Sequence, residues 1–246
     1  MEDALSIENL SFSIGGKTVF DNITFSLKKG SFAILCGRNG AGKSQLLRCI
    51  KGLSKPKSGK ILINGTEAEE KKRMREIALV FQSAEMQIVS QSVEKDVAFG
   101  PENLGLDKSE IERRVDNAMS LMDLKNKAKQ RPQTLSGGEM RKCAIAGILA
   151  MEPRVILLDE PFANLDYPST LSVLKALLSL HEKGYTILTV THEAEKFIAH
   201  TDTLLIMEEG KIVERGDSHE IYEKLRDHGI YLPKNAEFGE LSWLRQ

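Results

Sequence analysis

An apolar pentad, Phe32-Ala33-Ile34-Leu35-Cys36, leads through Gly37-Arg38-Asn39-Gly40-Ala41-Gly42-Lys43-Ser44 into Gln45-Leu46-Leu47-Arg48-Cys49-Ile50-Lys51. The pentad reads as a buried strand and the last segment as a helix. The eight residues between them fit G-x-x-x-x-G-K-[ST] at every fixed position, in the strand–loop–helix setting that pattern needs. Such a loop turns successive backbone N–H groups inward to form an anion nest. Glycine permits the backbone path and lets phosphate oxygens come close. The helix that opens near Gly42 adds its positive dipole end. Lys43 supplies a point charge for outer phosphates, and the Ser44 hydroxyl suits Mg²⁺. A plain glycine-rich turn would not need the Lys-Ser pair. Gly37, Arg38, Asn39, Gly40, Ala41, Gly42, Lys43 and Ser44 are therefore read as a nucleotide-binding loop.

Around this unit, strands and helices alternate. Leu5–Ile14 and Thr18–Leu27 read as an opening hairpin turned at Gly15-Gly16. Lys60–Asn64 and Ile77–Phe81 read as strands. From Gln82 to Leu135 the chain is polar and helix-rich, with apolar residues at helical spacing from Lys108 to Leu124. After Ser136 the alternation resumes. Helices are predicted over Glu139–Met151, Pro168–Glu182, Glu193–His200 and Ser218–His228, and strands over Arg154–Leu158, Tyr185–Thr191, Thr203–Met207 and Lys211–Val213. The pattern predicts an α/β fold: a phosphate-loop core with a mostly parallel sheet, an N-terminal antiparallel hairpin region and an inserted α-helical subdomain. The expected divisions are 1–82 and 151–216 for the two parts of the core, 83–150 for the helical subdomain and 217–246 for a C-terminal helical extension.

Charge argues against one class of partner. Lys plus Arg number 34 and Asp plus Glu 35, so no global field draws nucleic acid, and none is expected to bind. The three cysteines, Cys36, Cys49 and Cys143, lack ligand spacing and read as small core residues in a reducing compartment. The first residues carry no secretory pattern. No apolar run approaches the roughly 20 residues that cross a bilayer. Work at a membrane would need another chain to hold this one there.

Other stretches carry chemistry. Val155-Ile156-Leu157-Leu158-Asp159-Glu160 is an apolar strand ending in two carboxylates. A strand buried on both faces delivers those acids at its C-terminal end, the rim where ligands sit in doubly wound sheets. Asp159 is expected in the Mg²⁺ shell, and Glu160 to orient the attacking water. His192 leaves another strand end on the same rim, able to contact a γ-phosphate oxygen or the water. Ser136-Gly137-Gly138-Glu139 opens a helix with capping-box spacing, a second cluster of free N–H groups.

This ordered set resembles the ABC-type ATPases across nearly the whole chain. Gly37–Ser44 is similar to their Walker A loop, Val155–Glu160 to Walker B with the catalytic glutamate, and Ser136–Glu139 to the LSGGQ signature with Glu139 in place of glutamine. Gln82 matches the Q-loop glutamine, Asn164-Leu165-Asp166 the D-loop and His192 the switch histidine. The resemblance implies Glu160, His192 and Gln82 as catalytic residues and Ser44, Gln82 and Asp159 as Mg²⁺ contacts. It also implies ATP between Walker A of one chain and the signature (Ser136, Gly137, Gly138, Glu139) and Asp166 of a second chain, identical or paralogous, in a head-to-tail dimer. The family usually stacks an aromatic ring on adenine near the end of the first strand. Ile14 aligns there, with Phe12 and Phe20 nearby.

A narrower likeness lies in Gln87, Val93–Pro101, Asn103–Leu106, Leu225 and His228–Pro233, which are similar to ATPases of energy-coupling factor importers, the cobalt and nickel types included. That implies vitamin or transition-metal uptake, a transmembrane coupling subunit docked near Gln82 to Pro101, a substrate-binding membrane subunit reached indirectly, and a place on the cytoplasmic face of the membrane. Glu85 fits the family's acidic docking residue, while Met86 stands where a second acid is common. The alternatives are the ATPase of an exporter or lipid transporter, or a soluble ABC protein. Trp243, with Phe238, Leu241 and Leu244, is expected either to pack on its own domain or to help pair two chains.

Overall fold

The structure, a computed structural model, describes residues 2–244. In chain order its elements are β1 (Asp3–Ile14), β2 (Lys17–Lys28), β3 (Phe32–Cys36), α1 (Lys43–Lys51), β4 (Ser58–Ile63), β5 (Thr66–Glu67), α2 (Glu70–Glu76) and β6 (Ile77–Val80). Then come α3 (Val93–Asn103), α4 (Lys108–Leu121), α5 (Gly137–Leu149), β7 (Val155–Asp159), α6 (Tyr167–Glu182) and β8 (Thr186–Thr191). The last are β9 (Thr203–Glu208), β10 (Lys211–Asp217), α7 (Ser218–Ile221) and α8 (Lys224–Asp227). They form two compact units. One holds the residues up to Leu79, Arg154–Glu160 and those from His181 on, and the other holds Val80–Pro153 and Pro161–Leu180. Most of α6 thus groups with the helices rather than with the core, where the sequence divisions put it.

The first unit is built on two sheets. The smaller runs β2-β1-β4-β5 with antiparallel pairing throughout. The larger runs β10-β9-β3-β8-β7-β6. Its centre, β9-β3-β8-β7, is parallel, and β10 returns antiparallel on β9. Every residue of β3, β7 and β8 is buried, as in strands covered on both faces. Register fixes the rim: Cys36 lies opposite Thr191 and Ile206, and Asp159 opposite Val190. The residues just past Cys36, Asp159 and Thr191 therefore emerge together.

The second unit packs α3, α4 and α5. Each helix starts on a side-chain cap: Ser92 accepts from Lys95 N, Asp107 from Glu110 N and Ser136 from Glu139 N. Gly100 allows a close approach of helices, since a Cβ there would lie 2.7 Å from Met151 Cγ. Among the described residues no helix is long and apolar enough to cross a membrane.

Two expected helices are interrupted. Glu193–His200 is a pair of 3-10 turns, Ala194–Lys196 and Ile198–His200. Phe197 lies between them at φ −159°, fully buried and stacked on Phe32 at 5.7 Å. Seating that ring in the core outweighs one turn of helix. Ser218–His228 splits at Tyr222 and Glu223, which keep helical dihedrals while His219 and Tyr222 pack on Phe238 at 5.0 and 5.3 Å. All three cysteines are buried. Burial raises every thiol, Cys49 to about 11 and Cys143 to about 12.

Candidate active site

The phosphate loop is shaped by close backbone approach. A Cβ on Gly37 would lie 2.2 Å from the carbonyl oxygen of Met207, so only glycine fits between β3 and β9. Gly42, the N-cap of α1, sits at φ 101°, with Val19 O 3.2 Å from where a Cβ would be. Glycine reaches this left-handed backbone without a side-chain penalty. Buried Lys43 folds back across the loop, its Nζ donating to Gly37 O at 2.6 Å and Arg38 O at 3.1 Å. Burial pushes the ammonium pKa down, and Glu160 and Asp159 pull it back up. Arg38, Asn39, Gly40 and Ser44 are exposed, while Ala41 is buried.

Across the rim, Ser44 Oγ donates to Asp159 Oδ1 at 3.0 Å. Burial raises the Asp159 carboxyl pKa, and the Ser44 hydrogen bond opposes that. A hydroxyl and a carboxylate this close are two hard oxygen donors. They suit Mg²⁺, which takes one or two protein oxygens and fills its octahedron with water and phosphate oxygens.

Glu160 follows directly. Its backbone N–H donates to Val190 O at 2.8 Å, holding the chain against β8 as it leaves the sheet. Its φ of 46° is left-handed, a backbone state that costs energy for a residue carrying a Cβ. The residue is 7% exposed, and its carboxylate is held at both oxygens. Thr191 Oγ1 donates to Oε2 at 2.9 Å, and His192 Nδ1 lies 2.9 Å from Oε1. The Thr191 hydroxyl in turn accepts from Glu193 N–H at 3.0 Å. Sequence reasoning missed Thr191. Its only signal is that it precedes His192, and its contact with Glu160 depends on β7 and β8 being neighbours.

The opening strands sort out the three apolar candidates for the base. Phe12 and Phe20 are buried and stack on each other at 5.7 Å. Ile14 is 57% exposed.

The remaining expected residues belong to the second unit. Exposed Gln82 begins a loop braced from three directions. Arg141 of α5 donates through Nη1 to Phe81 O and through Nη2 to Gln82 O, both at 2.6 Å. Phe81 N–H donates to Gln87 Oε1 at 2.7 Å. Buried Asp96 accepts from Val89 N–H and Ser90 N–H at 2.8 and 2.9 Å. Arg141 carries no sequence motif that would mark it for this duty.

At the start of α5, Ser136 and Glu139 form a reciprocal capping box, Glu139 N–H to Ser136 Oγ at 3.3 Å and Ser136 N–H to Glu139 Oε2 at 2.9 Å. Lys127 pairs with Glu139 Oε1 at 3.3 Å. The Ser136 backbone donor, then Lys127, holds the Glu139 carboxyl below the usual carboxylate range. The acid that replaces glutamine is therefore already engaged. Gly137 and Gly138 face Leu165 and Ser169, where a Cβ would come within 3.1 and 2.8 Å. Asp166 Oδ1 accepts from Ser169 N–H at 3.0 Å, capping α6. The structure thus gathers Lys43, Ser44, Asp159, Glu160 and His192 at one rim of the first unit, and Gln82, the Ser136–Glu139 turn and Asp166 within the second.

Residues 20–163 match the ABC transporter family. The chain is 40% identical over 234 residues to the energy-coupling factor transporter ATP-binding protein EcfA of Methanocaldococcus jannaschii, covering 92% of this chain and 84% of that one. It is 41% identical over 225 residues to the cobalt import ATP-binding protein CbiO of Syntrophus aciditrophicus, covering 88% and 80%. Among solved structures, CbiO1 of Clostridium perfringens, part of the ABC transporter complex cbiONQ, superposes with a TM-score of 0.85 at 32% identity, over 95% of this chain and 97% of that one. Its nucleotide loop, its paired strand-end carboxylates and these likenesses together make the chain a member of the ABC transporter ATPase family.

Proposed function

We propose that the chain is the ATP-hydrolysing subunit of an energy-coupling factor-type importer, driving uptake of a vitamin or a transition-metal ion through a separate membrane coupling subunit. The observation that carries the chemistry is the Glu160 carboxylate, held at both oxygens one residue past the Asp159–Ser44 pair. Lys43, released from its two loop carbonyls, takes up phosphate oxygens. Ser44 and Asp159 would hold Mg²⁺. When bound, the ion offsets charge on the phosphates. Glu160 accepts a hydrogen bond from the attacking water, and His192 orients that carboxylate and reaches the γ-phosphate side. Ile14 covers one face of the base.

The second half of each pocket would come from another ATPase chain, whose Ser136, Gly137, Gly138, Glu139 and Asp166 close over the nucleotide. The positive dipole end of α5, which opens at Gly137 and Gly138, supports that reading. Docking of the coupling subunit on the Gln82–Pro101 region is supported by exposed apolar Met86, Val89 and Phe99, at 83, 62 and 48% exposure, beside exposed Glu85. The chain would then sit peripherally on the cytoplasmic face, with the substrate-binding subunit reached only through its partner.

The test is Glu160→Gln in the full chain. ATP binding should persist, turnover should fall by about 100-fold or more, and a closed dimer should accumulate with ATP. Near-normal hydrolysis would remove Glu160 from the chemistry. Co-purification with a coupling subunit, rather than with an exporter's membrane domain, tests the importer assignment.

A further inference from the structure

The loop after His192 is gripped by a segment far from it in sequence. Lys196 is 5% exposed. Its Nζ pairs with Glu193 Oε1 at 2.6 Å and lies 4.6 Å from the centre of the Trp243 ring. The backbone is tied as well: Trp243 N–H donates to Lys196 O at 2.9 Å and Ala199 N–H to Leu241 O at 3.1 Å. His200 Nε2 lies 2.6 Å from Ser242 Oγ. Segment 241–243 thus holds loop 196–200 by main chain and side chain.

Burying a lysine is a poor way to gain stability. Desolvation of the ion consumes most of the attraction, and an apolar residue of similar size would do as well. A charge held between a carboxylate and a ring face does fix geometry, because both partners constrain its direction. What it fixes leads to the site. Glu193, held by Lys196, donates its backbone N–H to Thr191 Oγ1 at 3.0 Å. That fills an acceptor position of the hydroxyl, so its single proton points at Glu160 Oε2, 2.9 Å away. The contacts run unbroken from Trp243 through Lys196, Glu193 and Thr191 to the Glu160 carboxylate.

We infer that Trp243, Lys196, Glu193 and Thr191 are positioning residues for ATP hydrolysis, a strap that sets the orientation of Glu160. The inference rests on Glu160 being the water-orienting carboxylate. With the strap intact, both carboxylate oxygens are directed. With it released, Thr191 can rotate about χ1 and Glu160 keeps only His192. No strap residue is part of the phosphate loop, so the consequence falls on kcat and spares nucleotide binding. This role differs from the pairing of two chains through Trp243.

The experiment compares Thr191→Val, Thr191→Ser, Lys196→Met, Trp243→Leu and Trp243→Phe in the full chain, with Glu160→Gln alongside. Steady-state ATPase, fluorescent-ATP affinity, melting temperature and sedimentation without nucleotide are read for each. Thr191→Val and Lys196→Met should lower kcat by about 3- to 30-fold, the range for changes along a coupled network. KM for ATP and nucleotide affinity should stay within about twofold. Thr191→Ser and Trp243→Phe should keep wild-type turnover, because hydroxyl and ring remain. The Thr191→Val/Lys196→Met double variant should be no slower than Thr191→Val alone. Unchanged kcat in Lys196→Met, additive losses in the double variant, or a kcat loss that merely follows lost folding or lost affinity would overturn the strap. Weaker self-association of Trp243→Leu without nucleotide, at unchanged kcat, would assign that ring to pairing instead. An inactive Glu160→Gln beside a fully active Lys196→Met refutes the strap alone; an active Glu160→Gln refutes the reading beneath it.

Discussion

Replacing Arg141 by methionine isolates the coupling between the signature helix and the glutamine loop. The arginine is 4% exposed, and its two Nη atoms each reach a carbonyl of that loop at 2.6 Å. Methionine keeps much of the apolar stem volume, so lost packing contributes little. What disappears is a pair of charge-assisted hydrogen bonds, each contributing about 1.5–3 kcal/mol. The two share one guanidinium, and Gln82 itself is exposed, so water can recover part of the loss at its carbonyl. A net loss of about 3 kcal/mol follows, rather than the full sum. For a chain of this size each kcal/mol lowers the melting temperature by about 2–4 °C, giving a drop of about 6–12 °C. Hydrogen exchange should localise the change, with faster exchange over residues 81–90. Arg141→Lys keeps the charge but lacks the planar two-pronged fork, so it should fall roughly halfway. An Arg141→Met protein that melts within about 2 °C of wild type with unchanged exchange at 81–90 would refute the reasoning.

Two further variants probe the nucleotide loop. Gly37→Ala drives a Cβ to 2.2 Å from Met207 O, so β3 and β9 must separate; stability should fall by about 1–3 kcal/mol and fluorescent-ATP binding should be lost. Gly40→Ala meets nothing within 4 Å but keeps φ at 86°, so it should cost about 1–2 kcal/mol from backbone strain alone, and a chemical denaturation series that ranks it well below Gly37→Ala contradicts the packing argument. Asp159→Asn should stabilise the nucleotide-free protein while abolishing Mg²⁺-dependent hydrolysis. The folded carboxyl has its pKa raised by burial above the ordinary 3.8, so the stability linked to its proton is complete below 3.8 and is lost as pH rises through the folded value. At pH 7 the variant avoids that loss and retains an acceptor for Ser44. Its advantage in melting temperature should shrink toward pH 4, and a variant that melts lower than wild type at pH 7 refutes the sign.

Local chemistry announced most of the fold and the candidate site. Phe32–Cys36 and Val155–Leu158 became the bodies of β3 and β7 because an apolar run of four or five admits few other uses. Gly37–Ser44 and Val155–Glu160 carry their meaning in residue type and spacing, so no tertiary knowledge was needed to single them out. Elsewhere distance in sequence hid the cause. Glu193–His200 has helical composition, and only the core position beside Phe32 explains why Phe197 breaks it. Thr191 is an ordinary strand residue until β8 lies beside β7. Arg141 is one of two adjacent basic residues on its helix until the glutamine loop is laid against it. Ile14 aligned with the usual base contact while Phe12 and Phe20 stood nearby, and only the folded chain tells that the two rings are buried against each other and that Ile14 is exposed.

The sulfur chemistry of this chain opens an experimental route. Every native thiol is sealed in the interior and stays protonated well beyond neutral pH. A maleimide or spin label offered to the folded protein should therefore ignore all of them. One cysteine engineered onto an outer face, such as position 99 or 231, would be modified alone against the unaltered wild-type background. Paired labels could then test for nucleotide-driven opening and closing in real time.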